Sequence, residues 1–219
     1  MRLGAVVLAG GRSSRMGRPK ALLDWRGRPA VVHAVEVVSE GVGGGPVCVV
    51  SGYGQELPPL DAILVADEVA YPGPLSELVS GLRELTGRAD LAFACGVDTP
   101  LLVPAFVRAV CGALRDGDDA VVPVIGGRQQ PLLAAYRTIL VPRLETLLER
   151  GGGGLREIPS VCAVRELSEQ VLATVDPGLR SAANANTPEE WAALHADTSR
   201  ILAILGDGED GDEAEEMDS

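Results

Sequence analysis

The chain has 219 residues, enough for one sizeable α/β domain. With 46% of them hydrophobic, a packed core is expected and a disordered chain is excluded. Aromatics are only 3%, so Ala, Val and Leu must fill that core, and base-stacking platforms for single-stranded nucleic acid are not expected. The net charge is −12, but residues 206–219 hold eight acids and no base, so the body carries only −4, and neither nucleic acid nor an anionic membrane is an expected partner.

No apolar run approaches the ~18 residues of a membrane span. The short apolar stretch at the N-terminus runs straight into Gly10-Gly11-Arg12, which predicts a first buried strand over Leu3–Leu8 rather than a signal peptide. A helix is predicted over Ala30–Ser39, and strands over Val47–Ser51 and Ile63–Val65. Pro74–Leu85 reads as a helix led by proline, which suits a first helical turn. Leu91–Cys95 is a strand and Pro104–Leu114 a second proline-led helix. Strands follow over Ala120–Val124 and Leu132–Tyr136, then a helix over Leu140–Glu149 that Gly151–Gly154 breaks.

Thr187-Pro-Glu-Glu190 has the form of a capping box, in which the threonine hydroxyl and the glutamate carboxylate each accept from the other residue's amide. It predicts a helix from Pro188 to about Leu205. The domain is thus expected to span residues 1–205, with 206–219 a disordered acidic tail that has nothing to bury. Repeated strand–helix–strand order implies a mostly parallel sheet covered on both faces, a Rossmann-like three-layer α/β/α fold. Ligands of such sheets bind beyond the carboxyl ends of the strands, so the loops after the strands carry the argument.

The first of these, Leu8–Lys20, reads LAGGRSSRMGRPK. Paired glycines let amides approach an anion closely, and Arg12, Arg15, Arg18 and Lys20 supply neutralising charge. It is neither a Walker A loop nor GxGxxG. The chain has 19 basic residues and Lys20 is its only lysine. A compact ammonium can follow a moving phosphate where arginine offers a planar fork.

In the second loop, Cys95-Gly-Val-Asp98-Thr-Pro100, an aspartate stands just past a hydrophobic strand. It can hold Mg²⁺ against phosphate oxygens, or it can cap the turn into the next helix. In the third, Asp67–Leu75, Asp67 can accept hydrogen bonds from a base or ribose. Arg128–Tyr136 (RQQPLLAAY) and Asn184-Ala-Asn186 offer amides and a cation for a second substrate. Cys48, Cys95, Cys111 and Cys162 are widely spaced in apolar runs and read as buried free thiols, which fits a reducing cytoplasm. His33 and His195, the only histidines, read as surface or interface residues, and no Ser/His/Asp or Cys/His nucleophile arrangement is formed.

Taken together, LAGG-x-S-x-RMG-x-x-K at Leu8–Lys20, YPGPL at Tyr71–Leu75, VDTP at Val97–Pro100, RQQPLLAAY and NANTPEE at Asn184–Glu190 resemble the nucleotidyltransferase family of molybdenum cofactor biosynthesis. The resemblance implies an Mg²⁺-dependent transfer. The terminal phosphate of molybdopterin attacks the α-phosphorus of GTP and pyrophosphate leaves. It implies Lys20, Asp98 and Arg15 as catalytic groups and Asp98 as metal ligand. Leu8, Ala9 and Gly10 would contact guanine and ribose, with Gly11 adjacent, and Lys20 the triphosphate. Asp67 aligns with an acidic base- or ribose-binding position, Asn184 and Asn186 with binding residues, and Ser51 stands where the family often has asparagine.

GTP and molybdopterin are the implied small-molecule partners, and molybdoenzyme-maturation proteins the implied protein partners. Within the family, Gly10-Gly11 and Gly73-Pro-Leu75 favour guanylyl transfer. Arg18-Pro19-Lys20 is a form common in the cytidylyl enzymes, which use CTP. Two other readings are a non-catalytic nucleotide or pterin carrier on the same fold, and a sugar- or polyol-phosphate nucleotidyltransferase, which needs a larger acceptor domain.

Overall fold

The computed structural model describes residues 1–10, 16–66, 73–151 and 154–196. In chain order the elements are β1 (Leu3–Leu8), a hairpin of β2 (Asp24–Trp25) and β3 (Arg28–Pro29), α1 (Ala30–Gly41), β4 (Val47–Ser51), β5 (Ile63–Ala66), α2 (Pro74–Leu85), β6 (Leu91–Gly96) and α3 (Pro104–Gly112). They continue with β7 (Ala120–Ile125), β8 (Arg128–Gln129), β9 (Leu133–Arg137), α4 (Val141–Glu149), β10 (Val164–Ser168) and α5 (Glu169–Leu172). A last helix begins at residue 188 and is described to residue 196.

One eight-stranded sheet runs in the order β10-β7-β9-β6-β1-β4-β5, with β8 paired to the end of β7. The four strands β1, β4, β5 and β6 are parallel. Ala5 and Val7 of β1 face the layer of α1 and α3, and Val6 and Leu8 face that of α2 and α4. A parallel strand buried on both faces reads as a continuous apolar run, which is why Leu3–Leu8 was visible in the sequence. In α2, Leu75, Leu78, Val79, Leu82 and Leu85 recur at helical spacing and are all buried, and each such side chain contributes about 1.5–3 kcal/mol.

Most boundaries agree with the sequence pattern to within two residues. Three features differ from it. The strand β9 is antiparallel to both its neighbours, β6 and β7. No helix intervenes between β7 and β9: Gly126-Gly127 turns the chain directly into β8, and so short a connection returns it antiparallel. The two-residue strands of the β2–β3 hairpin are below any periodic signal. Finally, β10 buries only Leu167, because it is the polar edge of the sheet, so its sequence does not read as an apolar run. The expected end of the last helix near Leu205 and the acidic tail lie outside the described residues. Among the described residues no helix is long and apolar enough to cross a membrane.

Candidate active site

From β1 the chain goes to β4 on one side of the sheet, and it later enters β6 on the other. A reversal of this kind opens a crevice at the carboxyl ends of the two strands. Leu8 lies opposite Gly96 in register, and the Val97 N–H donates to the Leu8 carbonyl at 3.3 Å. The exit of β1, Ala9-Gly10, therefore runs beside the exit of β6, Gly96-Val97-Asp98. Both the Ala9 and Gly10 amides donate to the Val50 carbonyl of β4, at 2.8 and 3.1 Å, which fixes the start of the first loop.

Three distant segments converge here. The Lys20 ammonium donates to Asn186 Oδ1 at 2.8 Å and lies 3.4 Å from Asp98 Oδ2. The Lys20 and Asp98 side chains are 17% and 29% exposed, sheltered but within reach of a ligand. A β-carbon at Gly96 would stand 2.5 Å from Asp98 Oδ1. The carboxylate folds back over the glycine, and any side chain at position 96 must displace it. Asp98 does not cap the following helix: the cap of α3 is Val103, with no side-chain hydrogen bond. Its carbonyl accepts instead from the Ala185 amide at 3.0 Å, which ties it to the Asn184–Asn186 turn.

A cavity of about 880 Å³ adjoins Asp98 and is lined by Arg128, Gln130, Arg156 and Asn184 among others. The Gln130–Leu133 segment is held from below, where the buried Tyr136 hydroxyl donates to the Pro131 carbonyl at 2.8 Å. Arg156 enters from the 3₁₀ turn Leu155–Ser160, and sequence reasoning missed it because that turn follows a glycine run with no periodicity. Glu77 was missed too. It is buried in the first turn of α2, with its carboxylate against Gly10: a β-carbon there would meet Oε1 at 3.0 Å. Its only signal was an acid in the first turn of a helix that starts at the end of a loop.

Ser51 is buried at the end of β4, where its hydroxyl donates to the Val65 carbonyl at 3.4 Å. Gly11, Arg12, Arg15 and Asp67 lie outside the described residues. The histidines, read as surface or interface residues, are half-buried. Both pack on the buried Trp25, at ring distances of 6.2 Å for His33 and 4.5 Å for His195, and His33 Nε2 lies 2.9 Å from the Pro100 carbonyl. Burial holds the His33 pKa below its ordinary value, against the raising effect of that carbonyl, and Arg28 lowers it further.

The four thiols are free. Burial pushes Cys48, Cys95 and Cys111 up to about 12 and Cys162 to about 11, so none is a nucleophile near neutrality. Among the described residues, no group of three or more His, Cys, Asp or Glu side chains is placed to hold a metal ion.

Residues 5–171 match the family model described as a MobA-like NTP transferase domain. A curated relative from Bacillus cereus (strain AH820), named probable molybdenum cofactor guanylyltransferase, is 32% identical over 198 residues, 89% of this chain and 96% of its own. One of the same name from Mycobacterium avium (strain 104) is 34% identical over 197 residues, 89% and 95% of the two chains. Among solved structures, the molybdopterin-guanine dinucleotide biosynthesis protein A of Archaeoglobus fulgidus superposes with a TM-score of 0.72. It is 20% identical, over 90% of this chain and 99% of that one, which shows a shared fold. The enzymes among these relatives set the carrier reading aside. By the family model matched over residues 5–171 and by relatives 32–34% identical over 89% of its length, the chain belongs to the MobA-like NTP transferase family and is a nucleotidyltransferase.

Proposed function

We propose that the protein transfers GMP from GTP to the terminal phosphate of molybdopterin, forming the guanine dinucleotide of the molybdenum cofactor and releasing pyrophosphate. The observation that carries this reading is the position of Asp98. Its carboxylate lies 3.4 Å from the Lys20 ammonium at the β1–β6 strand ends, and the same residue lines the cavity whose wall includes Arg128 and Arg156. Two anionic substrates would therefore meet beside Asp98, their charge offset by Lys20, Arg128 and Arg156 and by a cation held at the carboxylate. An oxygen of the molybdopterin phosphate forms the new bond to the α-phosphorus, the bond to the β-phosphate oxygen breaks, and pyrophosphate departs with that electron pair.

The attacking phosphate is already nucleophilic, so the chain needs to position groups and neutralise charge rather than take up a proton. The raised thiols and the engagement of His33 with Pro100 agree with chemistry that uses neither. Lys20 would bear on the triphosphate, Ala9 and Gly10 on the nucleoside, and Arg128, Gln130, Arg156 and Asn184 on the acceptor. Arg15 and Asp67 keep the roles the family resemblance implies.

Mg²⁺ fits this donor set. It is commonly held by one or two carboxylates together with substrate phosphates rather than by a protein cage, and Asp98 offers a hard oxygen on the cavity wall. When bound, the ion would screen the phosphate oxygens and polarise the α-phosphate. The free thiols support a cytoplasmic location.

The guanylyl reading rests on Gly10-Gly11, on Gly73-Pro-Leu75 and on the names of the curated relatives. Arg18-Pro19-Lys20 favours the cytidylyl alternative. Calorimetric titration with each nucleotide in the presence of Mg²⁺ decides between them. GTP is expected to bind at least ~10-fold more tightly than CTP, a difference of about 1.4 kcal/mol. Tighter binding of CTP transfers the assignment to cytidylyl transfer.

A further inference from the structure

The residue that receives the Lys20 ammonium, Asn186, lies beyond residues 5–171 matched by the family model. It is held in an unusual way. Its own amide donates to Glu190 Oε2 at 2.6 Å, and the same oxygen accepts from the Thr187 amide at 3.2 Å. The Glu190 amide returns a hydrogen bond to Thr187 Oγ1 at 3.2 Å. The last two contacts are the capping box that the sequence announces. The first is one more than a capping box needs, and it reaches upstream to the residue that touches the lysine.

The helix carrying Glu190 is itself fastened beside Lys20. Trp191 Nε1 donates to the Asp24 carbonyl at 2.9 Å, and its ring meets Trp25 edge to face at 5.4 Å. His195 packs on Trp25 from the next turn, with Nε2 3.2 Å from the same carbonyl. Asp24 and Trp25 follow the 3₁₀ turn Lys20–Leu22 after Leu23 alone, and Met16, within the first loop, is buried in the same cluster as Trp25 and Trp191. A closed circuit results: Lys20 to Asn186, Asn186 to Glu190, then through Trp191 back to Asp24.

We propose that Glu190 is a positioning residue for Lys20, acting through Asn186. By fixing the Asn186 backbone it fixes the amide oxygen that receives the ammonium, and so sets where that charge stands relative to Asp98. Its importance for transfer rests on the phosphate role proposed for Lys20 above, but the positioning itself can be read without substrate. Lys20 is the only lysine. Reductive methylation with ¹³C-formaldehyde, which keeps the positive charge and one N–H, therefore gives a single dimethyllysine resonance, and that of the Met1 amine is told apart as the one that remains in Lys20→Arg.

In Glu190→Ala the Lys20 resonance is expected to shift, and kcat for GMP transfer to fall about 10-fold. Thr187→Ala breaks the other half of the capping box but leaves the Glu190–Asn186 contact, so it should leave the resonance in place and kcat within about twofold. Glu190→Gln keeps an oxygen acceptor and should restore most of both. If Glu190→Ala does not fold, Glu190→Asp gives the same comparison, since its shorter side chain cannot span both amides. An unmoved Lys20 resonance in these variants, or an equal displacement in Thr187→Ala, overturns the proposal. A displaced resonance with unchanged transfer upholds it and removes the phosphate role of Lys20 instead.

Discussion

Replacing Lys20 with alanine is expected to lower GMP transfer by at least ~10²-fold while circular dichroism and the melting temperature stay close to those of the unmodified protein. The ammonium lies within 3.4 Å of Asp98 Oδ2 and hydrogen-bonds Asn186, at the crevice where phosphates would arrive. Removing one group that stabilises charge in the transition state typically costs ~10²–10³-fold. The stability cost should be modest because the Asp98 side chain, 29% exposed, can be rehydrated when its partner goes. Lysine-selective acylation of the wild-type chain should reproduce the loss, since no other lysine competes for the reagent. Steady-state pyrophosphate release reads both. Unchanged turnover would mean that Arg12, Arg15 and Arg18 neutralise the phosphates without Lys20.

The second large effect is expected at Asp98. Asparagine there keeps the size of the side chain and an oxygen that can face Lys20, and the bond from the Ala185 amide to the residue 98 carbonyl does not involve the side chain at all. What is lost is the negative charge. Transfer should fall by ~10²-fold or more, with the Mg²⁺ concentration for half-maximal rate raised, and Asp98→Ala should be worse. A helix cap would behave differently, because asparagine caps as well as aspartate. The cap of α3 is Val103, so a wild-type rate and metal requirement for Asp98→Asn would contradict the metal-binding role without a capping role to replace it.

Much of this arrangement was legible in the sequence, for reasons that differ from element to element. Buried parallel strands such as Leu3–Leu8 and Leu91–Gly96 announce themselves as apolar runs because both faces are covered. The capping box at Thr187–Glu190 forms with both of its expected contacts, because its chemistry is confined to four residues. Lys20 and Asp98 could be singled out from composition and from their place after strands, and they do meet.

What could not be read is what depends on distant pairing. Nothing local in Asn186 says that it faces Lys20, 166 residues away. Arg156 shares the wall of the Asp98 cavity only because a 3₁₀ turn follows the end of α4. Trp25 and Trp191 are two of the few aromatic residues, and only the fold brings the β2–β3 hairpin under the last helix so that they can join. The antiparallel course of β9 follows from the missing helix between it and β7, which the sequence indicated by the shortness of the gap rather than by any motif.

The central claim is that this chain joins a nucleotide to molybdopterin at Asp98. The most direct measurement incubates the protein with Mg²⁺, molybdopterin and each of the four nucleoside triphosphates in turn, and follows pyrophosphate together with the dinucleotide product by mass spectrometry. Pyrophosphate and a guanine dinucleotide should appear in equal amounts with GTP alone, and only when molybdopterin is present. Pyrophosphate that forms equally well without molybdopterin, or no product with any of the four nucleotides, would contradict it.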